Sequence, residues 1–65
     1  MIELENLAPA RLEQELADAR EAYAVADYID SLHDWIVARN AAAARIAAVE
    51  AELERRRIAA EREVK

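Results

Sequence analysis

Three neighbouring residues, Ser31, His33 and Asp34, are of the types that supply a nucleophile, a general base and an orienting carboxylate. A hydrolytic triad needs these side chains lined up within hydrogen-bonding reach of one another. Residues one to three positions apart in a helix point in different directions around its axis, so these three cannot line up. The simpler interpretation is that Ser31 and Asp34 are helix-capping residues and that His33 lies on the surface or at an interface. We expect no catalytic residue and no enzymatic activity.

A second candidate for chemistry combines acidic residues with the single histidine. Asp27, Asp30 and His33 follow one another at intervals of three, which places them near one face of a helix. Metal motifs on helices use better-defined spacings and usually more than one histidine. We therefore expect a solvated acidic face here, with no metal ion and no cofactor.

The one basic run is Arg55-Arg56-Arg57, which raises the question of nucleic-acid binding. A nucleic-acid-binding domain usually has a basic face and a basic overall charge. This chain has a net charge of −5, and glutamates surround the run. We therefore expect the arginines to pair with an acidic cluster earlier in the chain rather than to bind nucleic acid. The members of that acidic cluster are Glu13, Glu15, Asp18 and Glu21.

Composition narrows the fold class. The chain has 65 residues, no Cys and no Gly, and a single Pro. The lack of Cys excludes a disulfide framework, a thiolate zinc site and a cysteine nucleophile, and the lack of Gly excludes glycine-rich phosphate loops. A chain rich in Ala, Glu, Arg and Leu is typical of helical proteins, so the sequence predicts an all-α fold.

The compartment is also an expectation from composition. Charged residues interrupt the chain so often that no apolar run approaches the ~20 residues of a membrane-spanning helix. The first residues, Met1 to Glu5, lack the basic and apolar regions of a signal peptide. We expect a cytoplasmic protein without a membrane partner.

Apolar residues recur at helical spacing in two stretches. The steps of three and four residues average close to the heptad value, which favours two helices packed in a coiled-coil-like way. We predict a single helical-hairpin domain over residues 1–65, with a lead-in arm over 1–8, a first helix over about 9–38 and a second over about 41–63. The first stripe is Leu12, Leu16, Ala19, Ala22, Val25, Ile29, Leu32 and Ile36, and the second is Ala42, Ile46, Val49, Leu53, Arg56, Ala60 and Val64.

The position of the turn is less well marked, because no Gly or Pro stands between the stripes. Asn40 is the first candidate, since Asn tolerates the left-handed conformation that ends helices. Asp30-Ser31 is the second, because Ser31 with Asp34 three residues later resembles a capping box. In a third arrangement the helix is unbroken, and two copies pair antiparallel.

The stretch from Tyr23 to Val37 carries more large apolar side chains than one helix contact needs. Such a surface must be covered, so we predict a homodimer, a four-helix bundle of two hairpins. Trp and Tyr are enriched at binding hot spots, which favours a further contact with a larger host or cognate protein. The predicted protein-interface residues are Tyr23, Val25, Tyr28, Ile29, Leu32, Trp35 and Ile36.

The segment Ser31-Leu32-His33-Asp34 resembles a short string in the Rop family of plasmid copy-number regulators. Members of that family are helical hairpins of similar size that dimerise into a four-helix bundle and bind RNA. The resemblance covers four residues, and the Ala-rich second helix departs from the family pattern. It implies an architecture, and no binding residue is carried over.

These features predict a small non-enzymatic regulator or inhibitor, of the kind that phages and plasmids carry, which docks on a larger protein through the first helix. Two alternatives remain at this point. One is a structural coiled-coil segment whose only partner is itself, and the other is a Rop-like hairpin that binds nucleic acid.

Overall fold

The computed structural model describes residues 3–63 of the chain. Two α-helices, α1 (Pro9–Val25) and α2 (Leu32–Glu63), make up most of it. Short 3-10 turns at Leu4–Asn6 and Ala26–Tyr28 precede and follow α1. The described part is all-helical, without strands, and measures 52 × 19 × 15 Å. The predicted all-α class is confirmed.

The two helices pack antiparallel along a narrow apolar seam. Leu12 and Val49 are fully buried, and the other buried apolar residues are alanines, at positions 19, 26 and 42. Leu16, Ile46 and Leu53 are half-buried beside them. These positions belong to the two predicted stripes, apart from Ala26, which replaces Val25 at the end of α1. The seam lets the backbones approach closely, because alanine occupies three of its five buried positions.

α1 begins at Pro9, where the sequence predicts a helix start. Proline suits this position because its fixed φ angle is helical and its missing N–H is not needed in the first turn. Residues 1 and 2 of the predicted arm lie outside the described residues. The 3-10 turn Leu4–Asn6 lies against α2, and Leu4 and the following Leu7 are half-buried.

The chain turns at residues 26–31, so the predicted turn at Asn40 and the first helix over 9–38 are wrong. Asn40 is an exposed residue inside α2. α2 starts at the second predicted position, where the Ser31 Oγ accepts a hydrogen bond from the backbone N–H of Asp34 at 3.4 Å. The N-cap satisfies a backbone donor that the new helix leaves free, whereas Asn40 stands among strong helix formers.

The early turn changes which residues face each other. Glu15 pairs with Arg45, and Tyr23 contacts Arg39. Facing residue numbers therefore add up to about 60–62, so α1 begins opposite the region of Glu52. α2 continues beyond that point, and the N-terminal 3-10 turn covers part of the excess. The later residues of the first stripe, from Val25 to Ile36, leave the seam and surround the turn.

Candidate protein-binding surface

The turn end of the hairpin carries large apolar side chains that the fold leaves exposed. They are contributed by the end of α1, the connecting 3-10 turn and the first turns of α2. We call this set the turn patch. Its members and their exposed fractions are Val25 50%, Tyr28 85%, Ile29 37%, Leu32 70% and Ile36 43%. All five are among the seven predicted interface residues.

The other two predicted interface residues, Tyr23 and Trp35, are half-buried and lie in a separate cluster. The Arg39 guanidinium carbon lies 5.0 Å from the centroid of each of their rings. Arg39 Nε also donates a hydrogen bond to the Tyr23 hydroxyl at 2.8 Å. This arrangement joins α1 to α2 by cation–π attraction and a charge-assisted hydrogen bond.

A further bond in this cluster closes the turn itself. The Trp35 indole Nε1 donates a hydrogen bond to Asp27 Oδ1 at 3.2 Å, across eight positions of sequence. The aromatic residues therefore hold the connection between the helices in place. The structure therefore divides the predicted contact centre in two, because the chain turns between Tyr23 and Trp35. Tyr23, Trp35 and Arg39 form a clamp between the helices, and the turn patch is exposed.

Acidic side chains border the turn patch. Asp27, Asp30 and Asp34 are exposed and lie within eight positions of one another. Asp34 is in the first turn of α2, where the helix dipole favours a negative charge. His33 is exposed there as well. Ser31 serves as the helix cap, and its oxygen bonds to the Asp34 backbone.

The sequence does not indicate the most extensive polar network, which lies at the other end of the molecule. Glu52 is buried, and Arg55 binds both of its carboxylate oxygens, at 2.9 and 2.7 Å. Arg56 Nε donates to the same carboxylate at 2.7 Å. The hydrogen bonds from Arg55 and then Arg56 lower the pKa of Glu52 from 4.5 to about 2, and Glu52 in turn raises the pKa of Arg55.

Arg56 also anchors the N-terminal 3-10 turn. Its Nη2 lies 3.1 Å from the Leu4 carbonyl oxygen, 3.2 Å from that of Glu5 and 2.5 Å from that of Leu7. Glu52 and Arg56 stand four residues apart in α2, so their ion pair at 2.7 Å is a local contact within the helix. The contact with the arm joins residues about fifty positions apart, which no local spacing can indicate.

The predicted pairing of the arginine run with the acidic cluster of α1 is wrong. Arg57 bonds to Glu54 and, at 2.5 Å, to Glu61, both within α2. The Arg57 hydrogen bond lowers the pKa of Glu54. The turn at 26–31 places the acidic cluster opposite the middle of α2 instead of its basic end, and this accounts for the difference.

Ion pairs between the helices close both flanks of the seam. Glu15 bonds to Arg45, which lowers the pKa of Glu15, and Arg20 lies 3.6 Å from Glu50. Glu15 and Arg20 are five residues apart, which is about 140° around a helix. They therefore stand on opposite sides of the buried row that Leu12, Leu16 and Ala19 form.

Comparison with protein-family models, with curated proteins and with solved structures finds no match. Within residues 3–63, neither helix combines the length and apolar character needed to cross a membrane. In the same range, no group of three or more His, Asp or Glu side chains is placed to hold a metal ion.

Proposed function

We propose that this protein is a small non-enzymatic regulator or inhibitor that docks on a larger protein through the turn patch. The observation that carries the proposal is the exposure of Tyr28 (85%) and Leu32 (70%). Exposed large apolar side chains grouped at one end of a small protein are typical of interaction sites. Tyrosine supplies a large contact area with few rotatable bonds, which favours its use as an anchor.

The clamp of Tyr23, Trp35 and Arg39 supports this role. Arg39 holds Tyr23 and Trp35 together, and Trp35 holds Asp27 on the connecting turn. The turn patch is therefore presented on a connection that is fixed at both ends. Binding through such a surface requires less ordering of the chain, and less binding free energy is lost.

The acidic border defines the chemistry of the partner. Asp27 and Asp30 flank the turn patch, and the chain as a whole has a net charge of −5. A complementary surface has an apolar groove for Tyr28 and Leu32, edged by lysine or arginine. Charges at the rim mainly speed association and exclude wrong partners.

The proposal includes a cytoplasmic homodimer of two hairpins, a four-helix assembly. The core supports self-association, because among the described residues only Leu12 and Val49 are large side chains buried completely. A core this small gives one chain little stability of its own. A purely structural assembly is the second candidate function, and the exposed alanines of α2 favour it.

The test is affinity capture from the native host with the wild type, a Tyr28→Ala/Leu32→Ala variant and a Glu13→Ala control. Glu13 is an exposed residue of α1, remote from the turn. We expect a protein captured by the wild type and the control to be lost with the double variant. With the purified partner, loss of a hot spot of ~2 kcal/mol corresponds to roughly a 30-fold weaker Kd. Equal capture by all three would contradict docking through the turn patch.

A further inference from the structure

A second unpartnered surface runs along α2, on the side turned away from α1. Its positions follow one another in steps of four and three over more than three heptads, the pattern of a helix that packs against another helix. All are exposed, including Val37 (54%) and Ile58 (40%). We call this set the outer stripe: Val37, Ala41, Ala44, Ala48, Ala51, Arg55, Ile58 and Arg62.

The outer stripe is separate from the seam with α1. Ala42 and Val49 are buried in that seam, whereas Ala44 and Ala51 follow each of them by two residues. Two residues correspond to about 200° around a helix, so the outer stripe faces almost directly away from α1. α1 of the same chain cannot cover it.

We infer that the outer stripe is the surface through which a second copy of this chain packs, with the two α2 helices antiparallel. This inference rests on the homodimer of the proposed function and specifies its interface. The alanines at the centre permit a close approach of the helices. The same stripe serves both copies, as a two-fold axis requires.

Charge complementarity selects a copy of the same chain and sets its direction. One end of the stripe carries Arg55 and Arg62, and the first turn of α2 carries Asp34. With Ala44 opposite Ala48 of the other copy, antiparallel helices bring Arg55 within a turn of Asp34, and they place Arg62 just beyond the start of the other α2. Parallel helices would place each arginine against the same arginine of the other copy, and like charges at an interface are unfavourable.

Ion pairs within the hairpin do not neutralise all the arginines at the basic end of the stripe. Glu52 is shared between Arg55 and Arg56, so that group retains one positive charge. Arg57 is bonded to Glu54 and Glu61, which occupies the neighbouring acidic groups. On the outer stripe itself the charged side chains at this end are Arg55 and Arg62, and an acidic side chain from a second copy meets these two arginines.

Apolar contacts at the ends point to the same arrangement. Ile58 lies in a cleft in the last turns of α2, beyond the start of α1, and Val37 lies near the turn. An antiparallel copy brings its Val37 alongside this cleft. The cleft is lined by Arg55, Ile58, Ala59, Arg62 and Glu63.

The flanks of the hairpin provide a poorer interface. One carries Glu15 with Arg45 and the other Arg20 with Glu50, so a copy packed there would remove charged groups from water. Contact through the outer stripes avoids this cost. It produces a layer of four helices with the two α2 helices in the middle, and it leaves Tyr28 of each turn patch accessible.

The interface is tested by sedimentation equilibrium at micromolar concentration on the wild type, Ala44→Glu/Ala48→Glu and the control Ala43→Glu. Glutamate is a good helix former, and Ala43 is exposed but lies outside the stripe. We expect dimers for the wild type and the control, and a monomer with unchanged circular dichroism for the double variant.

The other outcomes separate the two proposals. A monomeric wild type contradicts the homodimer, and with it this interface. A dimeric double variant leaves the homodimer standing but overturns the outer stripe as its interface. Dissociation of the Ala43→Glu control would also overturn it, because the contact would then extend to a different face.

A second measurement needs no disruptive substitution and tests direction. The chain has no Cys, so Ala60→Cys, at an exposed position outside the stripe and the cleft, gives a single site for a spin label. In the antiparallel register residue 60 lies level with residue 32 of the other copy, which places the two labels about 40 Å apart along α2. A distance below about 20 Å would show parallel helices and contradict the proposed arrangement.

Discussion

Glu52 lies at the centre of the polar network that connects the last turns of α2 with the N-terminal 3-10 turn. It is buried, it accepts hydrogen bonds from Arg55 and Arg56, and Arg56 in turn holds the carbonyl oxygens of the N-terminal 3-10 turn. A buried carboxylate is tolerated only when charged donors replace its water. Without Glu52, Arg55 and Arg56 would lose their common acceptor, and Arg56 would lose the carboxylate that positions it against the arm.

Acid should weaken the fold through this group. The pKa of Glu52 falls from 4.5 to about 2 in the folded chain, so its contribution to stability is complete above pH 4.5 and declines as the pH falls toward 2. Glu15 and Glu54 have lowered pKa values and act in the same direction. We expect the Tm of the wild type to decrease over this range of pH.

Glu52→Gln should lower the Tm at neutral pH and make the decline in acid shallower. The matched control is Glu13→Gln, an exposed carboxylate of α1 outside this network. Thermal unfolding followed by circular dichroism at several pH values makes the comparison. Parallel curves for the wild type and Glu52→Gln would show that the lowered pKa of Glu52 does not stabilise the fold.

At the scale of elements, α1 with 17 residues and α2 with 32 differ greatly in length, and the turn decides this division. The connection at 26–31 contains no glycine, and none of the described residues has a positive φ angle. The Ser31 cap and the clamp of Tyr23, Trp35 and Arg39 take the place of a conventional turn residue.

Two substitutions of Asn40 test the turn position. Asn40→Ala should raise the free energy of unfolding by a few tenths of a kcal/mol, since Ala is the better helix former inside α2. Asn40→Pro should lower it by about 3 kcal/mol or more, because proline breaks an internal helical hydrogen bond. Urea denaturation measures both changes. A chain that tolerated proline here would contradict a continuous α2.

Part of this architecture could be predicted from the sequence. The spacing of Leu12, Leu16, Val49 and Leu53 indicates two packed helices, because periodicity shows which residues share a face. The turn could not be fixed the same way, since the heptad pattern continues through residues 26–31 without interruption. Which break forms depends on contacts such as Arg39 with Tyr23, sixteen residues apart.

The candidate site shows the same division. Five of the seven predicted interface residues are exposed at the turn. They could be predicted because that stretch of the sequence holds more large apolar side chains than one helix contact needs. The internal role of Tyr23 and Trp35 was not predictable. It follows from the chain reversal, which brings Tyr23 of α1 to Arg39, four residues after Trp35 in α2.

At the scale of the whole molecule, apolar surface is unevenly used. Leu12 and Val49 are fully buried, whereas Tyr28 and Leu32 are among the most exposed side chains of their kind. A protein of this size has a free energy of unfolding of only several kcal/mol, so each buried leucine accounts for a large share of it. The hairpin thus exposes large apolar side chains at its turn, whereas few large side chains fill its core.

The same substitution at two positions tests this division. Leu12→Ala removes a side chain with no exposed area and should lower the free energy of unfolding by about 2–5 kcal/mol, enough to unfold much of the protein. Leu32→Ala, at 70% exposure, should change it by less than about 0.5 kcal/mol. Urea denaturation at two protein concentrations compares them, because the stability of a dimer depends on concentration. If Leu32→Ala were the more destabilising change, and more so at high concentration, self-association would already bury the turn patch, and a foreign partner could not use it.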